Sequence, residues 1–231
     1  MLTLRKKSSS PRASATKEEP RLKILVSSAV LGYEDLLESI YALLDAFGYE
    51  VVMSHKGTLP VEPEVSAMDS CLEAVKKCDV FLGLILPRYG SGKEESGGLS
   101  ITHRETLKAI ELNKPRWFLV HEHVAIAREL LKPYRSTSKK PGFRLKRGIK
   151  FKRTPTLSDL RVLDLYELAM RHDIPAVKHR KGNWVQPYGP PDDARLFVTA
   201  QFRRHRDLAD KYLPKLKDFA AIRAKAKGVR S

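Results

Sequence analysis

The sequence predicts an α/β protein with a three-layer, flavodoxin-like parallel sheet and a mostly helical C-terminal extension, and two observations support this prediction. Short apolar runs alternate with longer amphipathic segments over residues 21–121, which is the pattern of consecutive βαβ units. The clearest run, residues 79–86, is apolar on both faces, as expected for a central parallel strand that helices cover on both sides.

The elements of the α/β region follow from apolar periodicity and from residues typical of helix ends. Strands are predicted at residues 22–28, 49–53, 79–86 and 115–120, and helices at 33–47, from Ser66 onward, and at 102–112. Gly48 ends the first helix, and Ser66 has the side chain of an N-cap residue. The resulting order is βαβαβαβ.

Beyond residue 121 the pattern is different. Helices are predicted at 122–132 and 158–170, and a long helix capped by Asp192 is predicted to reach about Tyr212. Residues 174–191 are turn-rich, and within them Trp184 and Tyr188 form either a small hydrophobic core or a lid or dimer contact. The predicted organisation is a disordered basic tail at 1–20, the α/β domain at 21–121, a helical and basic extension packed on it at 122–213, and a basic tail at 214–231.

Charge and composition limit the classes of partner and compartment. The chain carries a formal net charge of +16, and ten lysines and arginines lie between Lys132 and Arg153 without an acidic residue among them. This basic segment favours an acidic protein or a nucleic acid as partner, although a solvated loop that only aids solubility explains it equally well. No apolar run is long enough for a transmembrane helix and no secretory signal is present, so we expect a cytoplasmic protein without membrane association. Cys71 and Cys78 are expected to be buried free thiols.

The candidate site consists of polar residues and glycines in three loops at the carboxyl ends of the strands. These ends meet at one edge of a parallel sheet, where open α/β sheets bind their ligands. Hydroxyl groups and loop amides there hold phosphate or ribose oxygens, an arginine pairs with a phosphate, and a tyrosine stacks on a base. The candidate substrate-binding residues are Ser27, Ser28, Arg88, Tyr89, Gly90, Ser100, Thr102 and His103.

Glu105 is the candidate catalytic residue, and its position allows two interpretations. A carboxylate in the first turn of the third helix can act as nucleophile or general base at an anomeric carbon. Alternatively, Glu105 follows Thr102 by three residues and completes a capping box that stabilises the helix start. His103 is either a proton carrier or an exposed helix residue. His121 and His123 have no third ligand nearby, so no metal site is predicted.

Several motifs together resemble a known family. ILVSS at 24–28, CLEAV at 71–75, CDVF at 78–81, RYGS at 88–91 and GLSITHRE at 98–105 look like the bacterial DUF4062 domain family. The resemblance implies a fold related to TIR and nucleoside 2-deoxyribosyltransferase domains, in which a glutamate of this helix acts at a glycosidic carbon. Glu105, Ala109 and the pair Lys114 and Pro115 match the deoxyribosyltransferase layout, so the resemblance favours the catalytic interpretation.

Three functions follow as hypotheses. The first is a nucleotide N-glycosidase without a cofactor, with NAD as possible substrate, acting as an effector in bacterial signalling or antiviral defence. It requires that the Glu105 carboxylate face an open pocket, and a pKa raised by burial would support it. The second is a module that binds a nucleotide without cleaving it. The third is an interaction domain that forms a homo-oligomer, for which a filled pocket is expected.

Overall fold

The structure is a computed structural model that describes residues 21–92, 98–136, 142–205, 207–212 and 214. The tail predicted at 1–20, and the tail at 214–231 beyond Pro214, lie outside the described residues. The strands are β1 Lys23–Ser28, β2 Glu50–Val52, β3 Val80–Ile85, β4 Arg116–His121 and β5 Val185–Tyr188. The helices are α1 Glu34–Ala46, α2 Ala67–Lys77, α3 Ile101–Glu111, α4 Glu122–Leu131, α5 Arg161–Ala169 and α6 Pro191–Phe202.

The five strands form one sheet in the order β2-β1-β3-β4-β5, and every pairing is parallel. The connection after β1 leads to the β2 edge, whereas the connection after β3 leads towards β4 and β5. The loops at the carboxyl ends of β1 and β3 therefore diverge, and a crevice forms between them. The predicted parallel α/β class with a flavodoxin-like three-layer arrangement is confirmed.

Two hydrophobic cores cover the two faces of the sheet. On one face α1 and α6 pack through residues such as Leu37, Ile40 and Phe202, all almost fully buried. On the other face α2, α3, α4 and α5 pack over Phe81 and Phe118 of the central strands. Each such buried side chain contributes about 1.5–3 kcal/mol of transfer free energy, so the two cores fix the sheet between its helices.

Gly83 of β3 makes close packing possible at the centre of the second core. It lies opposite Ser27 in the β1 pairing and opposite Phe118 in the β4 pairing. A Cβ atom at position 83 would lie only 2.6 Å from ring carbons of Phe118. Because Gly83 has no side chain, the Phe118 ring can pack directly against the backbone of β3.

The sequence does not predict strand β5, because residues 174–191 have a turn-rich composition. β5 pairs with β4 at the sheet edge, and Pro187 is tolerated there because an edge strand does not need every N–H donor. Tyr188 is buried in the first core, as one of the two interpretations predicted, whereas Trp184 is 69 % exposed. Trp184 is therefore not part of a small core.

The last helix also differs from the prediction. Its N-cap residue is Pro190, and Asp192 lies inside the first turn, where a carboxylate interacts favourably with the helix dipole. The helix ends at Phe202, residues 203 and 204 are not helical, and helical structure resumes at His205. The predictions of an Asp192 cap and of one continuous helix to Tyr212 are wrong.

The described residues of the basic segment between Lys132 and Arg153 make contacts with the folded part of the chain. Arg135 bridges to Leu145 in antiparallel fashion, and the Arg135 guanidinium donates to Glu167 at 2.7 Å. Phe143 is buried in the second core. Within the described ranges, none of the helices combines the length and apolar composition that crossing a bilayer requires.

Candidate functional site

A pocket of about 770 Å³ opens above the carboxyl ends of β1 and β3, at the reversal of the strand order. Its volume is within the range of small-molecule sites, roughly 300–1,000 Å³. The pocket is open, contrary to the expectation for a pure interaction domain. Of the predicted site residues, those that line it are Ser27, Ser28, Arg88, Tyr89, Gly90, Thr102 and Glu105.

The side chain of Glu105 lies at the buried end of this pocket, against β1. The N-cap of α3 is Ser100, whose Oγ accepts a hydrogen bond from the N–H of His103 at 3.3 Å. Glu105 is therefore in the second helical turn, with only 6 % of its surface exposed, and its Oε2 accepts a hydrogen bond from Ser27 Oγ at 2.5 Å. The capping-box interpretation is wrong, because Thr102 lies inside the helix and the carboxylate is bonded to the sheet.

The surroundings of Glu105 disfavour its charged form. Burial raises its pKa from the ordinary 4.5 to about 7, while hydrogen bonds from Ser27 and from the Cys71 thiol oppose the shift by stabilising the carboxylate. Within the described part of the chain, no lysine or arginine forms an ion pair with it. Near pH 7 the group is thus divided between acid and carboxylate, which is the range in which a catalytic acid or base works best.

Cys71 is a pocket residue that the sequence did not single out. It lies on the buried side of α2 and lines the pocket beside Glu105. Burial and the neighbouring Glu105 carboxylate raise the pKa of its thiol to about 12, so the thiol stays protonated and serves as a donor. Its position one turn after the Ser66 N-cap was visible in the sequence, but nothing in α2 distinguished a pocket-facing cysteine from a core cysteine. Both cysteines are buried free thiols, as predicted.

The loop after β3 forms one side of the pocket. Arg88 is exposed there and lies where it can reach an anionic group in the pocket. Gly90 has φ +87°, a backbone conformation that other residues rarely adopt. The Ser158 hydroxyl accepts a hydrogen bond from the N–H of Tyr89 at 3.0 Å, which ties this loop to the segment before α5. Ser158 also lines the pocket and was missed in the sequence.

Tyr89 and His103 form a closed pair beside the pocket. Tyr89 is 3 % exposed, and its hydroxyl lies 2.9 Å from Nδ1 of His103. The Arg161 guanidinium lies over the tyrosine ring, 4.6 Å from the ring centroid. The predicted stacking of Tyr89 on a base does not fit this geometry, because the ring is buried and Arg161 already lies over it.

His103 faces away from Glu105. It lines a second cavity, under residues 142–151, and burial lowers its pKa to about 4, so it is neutral at pH 7. The interpretation as an exposed helix residue is wrong, and a proton carrier beside Glu105 does not fit its direction. Ser100 is fully buried, and its side chain serves as the helix cap, not as a ligand of the pocket. The sequence could not show these outcomes, because the covering segment lies about 40 residues away along the chain.

The pair His121 and His123 lies at the end of β4. Their rings are 4.5 Å apart, and Nδ1 of His121 accepts a hydrogen bond from the N–H of His123. The His121 ring also packs edge-on against Tyr33 and Tyr188. Among the residues that the structure describes, no group of three or more histidine, cysteine, aspartate or glutamate side chains is arranged to hold a metal ion.

Comparison with known proteins places the chain in a family. A family model described as a domain of unknown function, DUF4062, matches residues 23–174, which is more than half of the chain and includes all the described residues that line the Glu105 pocket. Neither the curated proteins nor the solved structures compared with the chain contain a match. The relation to TIR and deoxyribosyltransferase domains stays a prediction. The matched region contains the sequence motifs around β1 and β3 and the pocket above them. The chain belongs to the DUF4062 family.

Proposed function

We propose that this protein is a nucleotide N-glycosidase that hydrolyses NAD or a related nucleotide, with Glu105 as the catalytic carboxylate. The observation that supports the proposal most is the buried Glu105 side chain at the base of the β1 and β3 pocket, bonded to Ser27 and with a pKa of about 7. Strongly perturbed carboxylates in clefts are typical of catalytic sites. The position above the carboxyl ends of the strands is also where this class of fold binds its ligands.

The pocket suits a leaving group that needs no proton. When an Oε atom of Glu105 attacks C1′ of the ribose, the C1′–N bond breaks and its electron pair passes to the ring nitrogen. In NAD this nitrogen is positively charged, so nicotinamide leaves as a neutral molecule without a general acid. Glu105 is the only carboxylate among the described residues that line the pocket, which fits such a reaction better than O-glycoside hydrolysis, where a second carboxylate protonates the leaving oxygen.

The second half of the reaction regenerates the carboxylate. Water attacks C1′, the bond between C1′ and Glu105 breaks, and the products are ADP-ribose and a proton that is released to solvent. Arg88 at the pocket wall is placed to pair with a phosphate, and Ser28 and Thr102 offer hydroxyl groups to ribose oxygens. In this proposal Ser27 positions the carboxylate and does not bind the substrate.

One observation favours a second candidate, a module that binds a nucleotide without cleaving it. Glu105 is only 6 % exposed, and both Ser27 and Cys71 already bond to its carboxylate. A nucleophilic carboxylate must be in direct contact with C1′ of the substrate. A buried residue can support binding without such contact, by holding neighbouring side chains in position through hydrogen bonds. In this case the Glu105→Gln variant keeps its affinity for nucleotide.

The decisive experiment measures nicotinamide release from NAD by liquid chromatography, with dilute and with concentrated protein. Wild type is expected to release nicotinamide, and Glu105→Gln is expected to lose at least about a hundred-fold in rate, since it can act neither as nucleophile nor as base. Glu111→Gln is the matched control, because Glu111 is exposed at the end of the same helix. Its rate should equal that of wild type. Nucleotide binding without release by wild type would exclude the glycosidase and favour the binding module.

We also propose that the protein is an effector in bacterial signalling or defence and acts in the cytoplasm. Hydrolysis of NAD would deplete the cell of a central cofactor or produce a signalling nucleotide. A homo-oligomer, and an acidic protein or nucleic acid bound between Lys132 and Arg153, are further predictions of this proposal. Activity that rises with protein concentration would support assembly, and light scattering of the same samples would measure it.

A further inference from the structure

Two exposed aliphatic side chains flank the mouth of the Glu105 pocket. Leu31, in the loop between β1 and α1, is 69 % exposed, and Val61, in the loop between β2 and α2, is 68 % exposed. Both line the pocket. A single exposed leucine or valine needs no explanation. Here two of them, from separate loops, line the same pocket and give its mouth an apolar side.

Hydrogen-bonded turns hold both loops in place. The N–H of Tyr33 donates to the carbonyl of Val30 at 2.9 Å, so Leu31 lies at the tip of a tight turn. On the other side, the N–H of Val65 donates to the carbonyl of Glu62 at 3.0 Å. Leu31 is therefore held within a hydrogen-bonded turn, and Val61 directly precedes one.

The pocket lining combines buried polar side chains with exposed aliphatic ones. Ser27, Thr102 and Glu105 are buried at the inner end, whereas Leu31 and Val61 are exposed at the rim. A ligand that uses both sets of residues has polar groups at its inner end and an apolar group at its outer end. If C1′ of the nicotinamide ribose is at Glu105, the second base of a dinucleotide lies beyond the two phosphates, at the rim.

We infer that Leu31 and Val61 form a clamp for the adenine ring of the dinucleotide, in place of the tyrosine stacking expected from the sequence. This inference rests on the proposed function for the position of the ribose. It assigns base recognition to the loops after β1 and β2, and it makes the distal base a determinant of affinity. A mononucleotide that lacks this base gains nothing from the clamp.

The test is isothermal titration of the full chain with ADP-ribose and with ribose 5-phosphate, neither of which contains the bond that Glu105 would cleave. Leu31→Ser and Val61→Ser are each expected to weaken ADP-ribose binding about five-fold, the factor for loss of roughly 40 Å² of apolar contact. Their affinity for ribose 5-phosphate should equal that of wild type. Leu196→Ser and Val177→Ser are matched controls, because these residues are 69 % and 68 % exposed and lie outside the pocket lining.

Several outcomes would overturn the clamp. These are wild-type affinity for ADP-ribose in both rim variants, an equal loss for ribose 5-phosphate, or no binding of ADP-ribose by wild type. The binding experiment and the nicotinamide-release experiment can fail independently of each other. Rim-dependent binding without nicotinamide release would exclude the glycosidase and keep the clamp, whereas nicotinamide release with rim-independent binding would do the reverse.

Discussion

At neutral pH the side chain of Glu105 is charged in only part of the molecules, because burial brings its pKa to about 7. Hydrogen bonds from Ser27 and Cys71 act in the opposite direction and favour the carboxylate form. This balance depends on side chains from β1, α2 and α3, which are far apart in the sequence. In the sequence, the layout of Glu105, Ala109 and the pair Lys114 and Pro115 indicated Glu105 as the residue, but only the folded chain shows what surrounds its carboxyl group.

The first prediction concerns the free energy of unfolding as a function of pH. The unfolded chain releases the Glu105 proton near pH 4.5, whereas the folded protein holds it until about pH 7. The stabilisation from this group is present below pH 4.5 and is lost as pH rises through 7. Wild type should therefore lose up to about 3 kcal/mol relative to Glu105→Gln between pH 4.5 and pH 8.

Urea unfolding of both proteins at several pH values measures this difference. His103 has the opposite effect, since its pKa falls from 6.5 to about 4 and its contribution is lost as pH falls through that range. The contribution of His103 is the same in both proteins. It therefore cancels when the free energy of unfolding of Glu105→Gln is subtracted from that of wild type. Parallel stability curves for wild type and Glu105→Gln would show that the carboxyl group is not desolvated as described.

At the scale of elements, the centre of the sheet depends on one missing side chain. Gly83→Ala places a Cβ within 2.6 Å of the Phe118 ring, so the ring or the strand must move. We expect a loss of about 1–3 kcal/mol in the free energy of unfolding, as for other overpacked cores. Denaturant titration checks it.

A double variant provides the control for this packing. In a Phe118→Leu background the Gly83→Ala change should cost less, because the aromatic ring that meets the new Cβ is absent. An equal cost in both backgrounds would mean that the loss arises elsewhere, for example in the backbone of β3.

Most elements could be predicted from the sequence, and the exceptions have physical reasons. Strands β1 to β4 and helices α1 to α3 lie within two residues of their predicted positions, because buried strands and amphipathic helices have clear apolar patterns. β5 has no such pattern, since Gln186 and Pro187 interrupt it and its stability comes from pairing with β4. The end of α6 at Phe202 also could not be predicted from the sequence.

The site was predictable in position but not in detail. The pocket lies at the carboxyl ends of β1 and β3 because strand order alone places it there. The roles of Tyr89 and His103 were not predictable, because Arg161 and the segment after residue 142 cover them. Local sequence shows which residues are near a sheet edge, and only tertiary contacts show which of them a ligand can reach.

For the whole molecule, the folded unit is larger than the region that the family match covers. The match ends at residue 174, whereas β5 at 185–188 completes the sheet and α6 covers α1. Tyr188, Val198 and Phe202 are buried in the first core. The C-terminal part therefore belongs structurally to the α/β core.

Truncation tests this conclusion. A chain that ends after residue 174 leaves the edge of β4 unpaired and the apolar face of α1 uncovered, so it should aggregate or lose its cooperative thermal unfolding. A chain that ends after Pro214 should unfold as the full chain does. Circular dichroism during heating distinguishes the two, and cooperative unfolding of the shorter chain at the wild-type temperature would contradict the prediction.

The divided protonation of Glu105 also connects ligand binding to the surrounding buffer. A nicotinamide ring is cationic, so its arrival beside Glu105 favours the carboxylate and expels the proton from those molecules that still hold one. Proton release is expected near pH 7, because burial places the pKa of the group at about 7. The heat of binding of an NAD analogue that keeps the cationic ring but has no cleavable C1′–N bond should therefore vary with the ionisation enthalpy of the buffer. ADP-ribose, which lacks the cationic ring, should show little of this variation, so the buffer would report which end of the dinucleotide lies beside the carboxylate.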